Sequence, residues 1–364
     1  MASPAETTAM RSALALARGA LGTTNPNPAV GAVVLDRNGR EAGAGVTAPV
    51  GGPHAEVVAL TAAGESARGG TLVVTLEPCA HRGRTGACAQ AVVAAGIARV
   101  VYAATDPNAV ASGGVDLLRD AGVDVEAGLL LDEAEAELGP WLVAMGRGRP
   151  HVTWKYAATM DGRTAARDGT SRWITGEAAR ADVHQLRARA DAVVIGIGTL
   201  LADDPALTVR AVDVGRQPVR VVVDSHARTP VGSKLLDGAA PALIAVTASA
   251  PAKRRAALRD AGAEVIEVAS KDGRVDLGSL VSTLFARELY LLLVEGGATL
   301  AAGFVGDGLV DRVVGYLAPA LLGAGSDVLG GFGVGTINDV KRLRLRDVAA
   351  MGDDVRIIAE LGGA

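Results

Sequence analysis

The chain has 364 residues, 49% of them hydrophobic and 21% charged, which is material for two hydrophobic cores rather than one. Its 36 basic and 40 acidic residues nearly balance, with no block of either sign, so nucleic acid has no electrostatic footprint here. No apolar run approaches the ~20 residues that cross a bilayer, no secretory leader is visible, and two cysteines make no disulfide framework; the expectation is a cytoplasmic protein with no membrane partner.

Apolar β-branched runs alternate with Ala- and Leu-rich stretches throughout, the pattern of an α/β protein. The first half reads as a helix over Thr8–Arg18, a strand over Gly31–Leu35, a helix over Ala55–Ala63 and a strand over Thr71–Thr75. A helix over Cys88–Ala95, a strand over Val100–Ala103 and a helix over Gly114–Ala121 follow. An acidic helix, Asp132–Leu138, gives way to Gly139-Pro140 and then to Gly146-Arg147-Gly148-Arg149-Pro150. That cluster sets a boundary between domains at 1–148 and 149–364. The second half reads as strands at His151–Tyr156, Ala192–Ile195, Val219–Val223, Ala242–Val246, Glu264–Val268 and Leu289–Val294, with a short helix at Ala298–Phe304.

The strongest chemical signal is Pro53-His54-Ala55-Glu56, then Glu77-Pro78-Cys79, then Cys88. Catalytic zinc takes three protein ligands and keeps a fourth position for water, and His54, Cys79 and Cys88 are donors of suitable softness. Glu56, two residues past His54 near a helix start, is placed to face that water without binding the metal. A zinc ion there would lower the pKa of its water, hydroxide would attack an amino-bearing ring carbon, and Glu56 would carry protons to the departing ammonia. Cys79 follows a strand and a proline and is expected to open a helix, whose N–H groups and dipole favour thiolate. A structural zinc would need a closed fourth ligand, for which only His81 stands nearby; without any metal, both cysteines would be core thiols.

Eight residues separate Cys79 from Cys88, whereas most nucleoside and tRNA deaminases place two between their cysteines. The stretch from Pro78 to Cys88 resembles the bacterial bifunctional riboflavin-biosynthesis deaminase–reductase family, as do Asn25-Pro26-Asn27-Pro28 and Asp106-Pro107-Asn108. The resemblance implies an N-terminal cytidine-deaminase-like α/β/α sandwich whose substrate is a pyrimidine ribose phosphate. Arg84 and Thr85 would hold the phosphate, with Asn27, His81 and Asn108 near the pyrimidine or ribose. An arginine and a hydroxyl in a glycine-broken loop suit a phosphate. The chain departs from the family at Gly86-Ala87, where two prolines are usual, at Thr47, near which a histidine is common, and after Asn108, where the turn is shorter.

Over most of 151–340 the chain resembles the same family's reductase, which implies a C-terminal dihydrofolate-reductase-like α/β domain using NADPH. The matching stretches are Lys155–Ala165, Ser171–Thr175, Arg180–Arg187, Asp191–Thr199, Ala202–Arg210, Gln217–Ser225 and Val294–Leu300. Gly196-Ile197-Gly198 lacks full dinucleotide spacing and by itself reads as a turn at a strand end. Glu295-Gly296-Gly297 ends a Leu/Val strand before a helix, where small residues let backbone N–H groups approach a diphosphate. By resemblance, Ala158, Trp173, Thr199, Asp203, Ser225 and the 297–303 segment (Gly297, Ala298 and Thr299 first) contact the cofactor. Ser171, Arg187, Leu207, Arg210 and Glu295 contact the substrate, with Arg187 and Arg210 suited to clamp a phosphate. Arg187 could equally be a helix-surface charge and Trp173 a core residue. Asp203 or Glu295 could assist proton movement, although hydride transfer asks mainly for orientation. Relatives of this kind imply a homo-oligomer, a dimer or larger. Two other readings of the same residues are a deaminase of a different base with an inactive second domain, and a nucleotide-binding scaffold with structural zinc.

Overall fold

A computed structural model of the chain describes residues 1–80, 86–108, 111, 113–210, 212 and 214–361. His81, Arg84 and Thr85 lie outside the described residues. The chain divides into two compact units, Met1–Gly148 and Arg149–Ala364.

The first unit runs α1 (Pro4–Ala20), β1 (Gly31–Leu35), β2 (Glu41–Val46), α2 (Ala55–Ala63), β3 (Thr71–Leu76), α3 (Cys88–Ala94), β4 (Arg99–Ala104), α4 (Gly114–Asp120), β5 (Asp124–Ala127) and α5 (Leu131–Arg147). Its five strands form one sheet in the order β2-β1-β3-β4-β5, with β1 antiparallel to both neighbours and β3, β4 and β5 parallel. Helix α1 starts on a capping box, Ser3 accepting from the Glu6 N–H while Glu6 accepts from Ser3. It buries Met10, Ala13 and Leu14 against Val33, Val73 and Val101 of the sheet, beside Ala134 of α5. The opposite side of β1 and β2 takes α2.

Two expectations change in this unit. The acidic helix does not stop at Gly139-Pro140 but continues through Pro140 to Arg147. Proline costs the helix one hydrogen bond there, yet Leu138, Trp141 and Ala144 are buried along one side and hold the later turns in place. Nor does Cys79 open a helix: it lies in the extended stretch after β3, and Cys88 is the first residue of α3. Strand β2 was not anticipated, because Glu-Ala-Gly-Ala-Gly-Val has the composition of a loop.

The second unit runs β6 (His151–Thr159), β7 (Arg163–Ala166), α6 (Glu177–Arg189), β8 (Ala192–Gly196), α7 (Ile197–Asp203), β9 (Val219–Val223), β10 (Ala242–Val246), α8 (Ala252–Asp260) and β11 (Glu264–Glu267). It continues with β12 (Ser270–Lys271), β13 (Arg274–Val275), α9 (Leu277–Ala286), β14 (Leu291–Val294), α10 (Ala298–Gly306), β15 (Arg312–Ala318), β16 (Gly325–Asp327), β17 (Leu343–Met351) and β18 (Asp354–Leu361). Nine strands form one sheet in the order β11-β10-β9-β8-β14-β6-β15-β18-β17. The strands from β11 to β15 are parallel and their apolar runs are buried on both faces, as parallel sheets require. The last two strands add an antiparallel hairpin at one edge.

Candidate functional site

In the first unit, the backbone of α2 rests directly on β2. A Cβ at Gly43 would lie 2.5 Å from both the Ala59 oxygen and the Ala63 nitrogen, and one at Gly45 would lie 2.5 Å from the Ala55 oxygen. This close approach fixes the start of α2, where His54 is the N-cap residue and Glu56 stands in the first turn. The stretch after β3 is held as tightly, because a Cβ at Gly114 would fall 1.7 Å from the Pro78 oxygen. Ala89, one residue into α3 beyond Cys88, donates its N–H to the Cys79 carbonyl at 3.1 Å. Three separate elements therefore deliver three side chains to one point.

His54 Nδ1 lies 3.2 Å from Cys88 Sγ and 3.9 Å from Cys79 Sγ, and the three donor atoms all fall within 4.8 Å of one another. Zinc bonds of ~2.0–2.1 Å to nitrogen and ~2.3 Å to sulfur, at tetrahedral angles, set donors roughly 3.5–3.8 Å apart. The trio fits that ion, and three ligands leave one corner of the tetrahedron open. Both thiols are buried. The Cys79 thiol is drawn down, first by the hydrogen bond from Cys88 and then by His54, while Cys88 is pushed up by holding the shared proton. A cation at this point would favour the thiolate form of both. Glu56 is 4% exposed and reaches the Cys88 thiol; burial pushes its carboxyl above the ordinary range.

Two turns carry the assigned asparagines, and the second of them adjoins this centre. Asn27 donates its N–H to the Thr24 carbonyl at 3.1 Å, and Thr24 Oγ1 donates to the Asn27 carbonyl at 2.9 Å. Asn108 donates its N–H to Asp106 Oδ1 at 2.8 Å, and the Ala111 carbonyl of that turn accepts from Ala80, the neighbour of Cys79, at 3.1 Å. Thr47 is a latch on the start of β1: its Oγ1 accepts the Val30 N–H at 3.1 Å.

In the second unit several of the assigned residues lie at the carboxyl ends of strands, where ligands of open parallel sheets bind. Ala158 is buried near the end of β6, Gly196 ends β8, Ser225 follows β9, and Glu295 follows β14. Thr199 Oγ1 accepts the N–H of Gly297, the N-cap residue of α10, at 2.9 Å, and Ala298 and Thr299 form the first turn of that helix. A Cβ at Gly296 would meet the Gly196 nitrogen at 3.1 Å, so these glycines serve close packing of two strand ends. Arg172 Nη2 donates to the Asp203 carbonyl at 2.9 Å, tying the stretch that holds Ser171 and Trp173 to the end of α7. Ser225 Oγ accepts the Val275 N–H at 3.0 Å. Trp173 is 70% exposed under the Arg180 guanidinium, 4.6 Å from its ring centre, which rules out the core role.

Arg187 is no helix-surface charge either. Its guanidinium grips Glu295 through two hydrogen bonds, 2.6 and 2.9 Å, and its Nη1 reaches the Thr208 carbonyl. Lys155 Nζ stands 3.7 Å from the same carboxylate. Burial alone would push Glu295 up, but Arg187 and then Lys155 outweigh it and hold the carboxyl down, to about 2. Burial pulls the Lys155 ammonium below its ordinary range. Sequence reading gave Lys155 no role, although a lone lysine in the otherwise uncharged run 152–159 was a usable signal. Leu207 is buried in left-handed backbone, φ +54°, and the exposed Arg210 donates its N–H to His184 Nδ1 at 3.4 Å. Lys155 and Arg187 thus face one carboxylate, an excess of positive charge suited to an anion.

Residues 150–357 match the RibD C-terminal domain, and residues 4–104 match the cytidine and deoxycytidylate deaminase zinc-binding region. The riboflavin biosynthesis protein RibD of Mycobacterium tuberculosis is 43% identical over 338 residues, 92% of this chain and 91% of that protein. Its Escherichia coli counterpart is 38% identical over 360 residues, 95% and 96% of the two chains. Among solved structures, RibD of Acinetobacter baumannii (form 2) superposes with a TM-score of 0.88 at 39% identity, covering 98% of each chain. A diaminohydroxyphosphoribosylaminopyrimidine deaminase/5-amino-6-(5-phosphoribosylamino)uracil reductase of Thermotoga maritima superposes with a TM-score of 0.87 at 33% identity, covering 98% of this chain and 99% of that one.

Proposed function

The chain belongs to the RibD family of bifunctional riboflavin-biosynthesis enzymes, and from that premise we propose that Met1–Gly148 performs a hydrolytic deamination and Arg149–Ala364 a reduction of its product. The first substrate is 2,5-diamino-6-(5-phosphoribosylamino)pyrimidin-4(3H)-one, which loses its 2-amino group as ammonia. The second step opens the ribosyl side chain of the product to the ribityl form. The observation that carries this reading is the His54, Cys79 and Cys88 trio with buried Glu56 beside it.

His54, Cys79 and Cys88 would hold a zinc ion, which when bound would make water acidic enough to supply hydroxide near neutral pH. Glu56 moves the proton: its carboxylate takes one as the ring carbon is attacked and gives it to the departing amine nitrogen. Asn27 and Asn108, with His81, Arg84 and Thr85, hold the pyrimidine and the ribose phosphate. In the second unit NADPH, when bound, would supply a hydride to ribose C1′ as the bond from C1′ to the ring oxygen breaks, that oxygen taking a proton from water. Ala158, Trp173, Thr199, Asp203, Ser225, Gly297, Ala298 and Thr299 orient the cofactor. Ser171, Arg187, Leu207, Arg210 and Glu295 hold the substrate, and the bond Arg187 makes to Glu295 leaves Arg210 as the freer phosphate clamp.

Incubating the protein with the diaminopyrimidine phosphate, with and without NADPH, and identifying both products tests the whole reading. Ammonia release without product-dependent NADPH oxidation would leave a deaminase alone. Arg210→Ala is expected to raise the substrate Michaelis constant of the reductase roughly 10- to 100-fold, the worth of a charge-assisted phosphate contact. The constant for NADPH should move far less, and the reverse pattern removes the phosphate role.

No helix among the described residues is long and apolar enough to cross a membrane. The cytoplasm is the proposed location. A homo-oligomer is proposed on the exposed apolar side chains of the edge strand β17, Leu343, Leu345 and Val348, which water leaves uncovered in a single chain. Light scattering on the eluting protein should give a dimer or larger; a monomer at micromolar concentration refutes it.

A further inference from the structure

Helix α5 touches both turns that carry the asparagines assigned to the deaminase substrate. Trp141, buried in its later half, donates its indole N–H to the Pro26 carbonyl at 3.2 Å. Further along, a Cβ at Gly146 would meet the Pro107 Cβ at 3.8 Å, an ordinary contact, so the helix passes beside the Asn108 turn as well. The helix is itself anchored: Ala134 is buried beneath α1, and Arg18 of α1 donates to Glu137 at 2.7 Å.

The Asn27 turn closes on itself through Thr24, and those bonds set its shape without setting its place. The bond from Trp141 supplies the second requirement by tying the turn to a helix braced against the core. We propose that Trp141 is a positioning residue for deamination: its indole N–H holds the Pro26 carbonyl so that Asn27 is presented to the substrate. This rests on the reading that Asn27 contacts substrate. Without the indole N–H the Pro26 carbonyl loses a partner and the turn is freer in the empty enzyme. Binding must then restore its order, which weakens affinity and leaves the proton transfer at Glu56 unchanged.

Trp141→Phe keeps an aromatic ring at the site, although a smaller one, and removes the donor. In the full-length protein with the diaminopyrimidine phosphate, the variant is expected to raise the deamination KM roughly three- to tenfold, the worth of one neutral hydrogen bond. Its kcat should stay within about twofold, because no group that acts in the chemical step has changed. Zinc content and product-dependent NADPH oxidation should match the parent. Asn27→Ala, measured alongside, is expected to raise the same KM. If Asn27→Ala raises it and Trp141→Phe does not, the positioning role is overturned while the reading of Asn27 stands. If neither raises it, the reading of Asn27 falls and takes the proposal with it. If Trp141→Phe loses zinc, or lowers kcat together with melting temperature, Trp141 is a packing residue and the proposal is likewise overturned.

Discussion

Glu56→Gln is expected to lower ammonia release roughly 10²- to 10⁴-fold, the usual cost of removing a general acid–base group. Glutamine fills the same volume in the pocket but holds no mobile proton. The zinc content should not change, because Glu56 is not one of the three donor side chains. NADPH oxidation on the deaminated pyrimidine should also be unaffected, since no residue of the second unit is altered. Exchanging a buried, desolvated carboxyl for an amide removes an electrostatic penalty, so the melting temperature should hold or rise. A variant that released ammonia at the parent rate would take Glu56 off the proton path.

The second large effect is expected at Glu295. Its carboxylate balances Arg187 and Lys155 in a site where all three side chains are mostly buried. Glu295→Gln leaves two cations facing each other with their counter-charge gone. Breaking a buried pair in this way costs roughly 3–5 kcal/mol, partly relieved if Lys155 gives up its proton. For a unit of this size that is a loss of roughly 6–20 °C in its melting temperature. Reduction should fail with it, while deamination below the unfolding temperature continues. The same carboxylate shapes the acid response of the parent. Its folded value, about 2, lies below the ordinary 4.5, so its stabilising contribution is complete above about 4.5 and drains away as pH falls toward 2. Glu295→Gln should therefore flatten the loss of reductase stability across that interval. An unchanged acid limb in urea titrations at several pH values would contradict the argument.

What could be read from the sequence divides along physical lines. That His54, Cys79 and Cys88 would come together was legible because ligation demands particular side chains in a particular order, and those residues have few other reasons to stand together. Strands β1 and β10 were legible at their full extent because buried parallel or central strands are continuous apolar runs, and β9 because its valines outweigh the single Arg220. Strand β2 was not: its glycines admit a helix backbone, and a glycine-rich stretch has no periodicity to read. Helix α5 was cut short at Pro140 because a local rule was applied where tertiary packing of Trp141 and Ala144 prevails. The helix expected at Cys79 does not form, and the helix of this stretch begins at Cys88 instead. Arg187 and Glu295, far apart in the chain, meet only in three dimensions, so the ion pair could not be seen in advance, and Lys155 stood out only as a lone charge in an otherwise uncharged run.

The imidazole of His54 is aimed from behind. Nothing at Gly43 or Gly45 has any affinity for a cation, yet the space their missing side chains leave is what seats the helix that His54 caps. Even an alanine at either position would act as a wedge, lifting the helix start and withdrawing one nitrogen from two sulfurs. Loss of metal in a natural variant or an engineered library would then trace to a hydrogen replaced by a methyl group, on a strand that binds nothing.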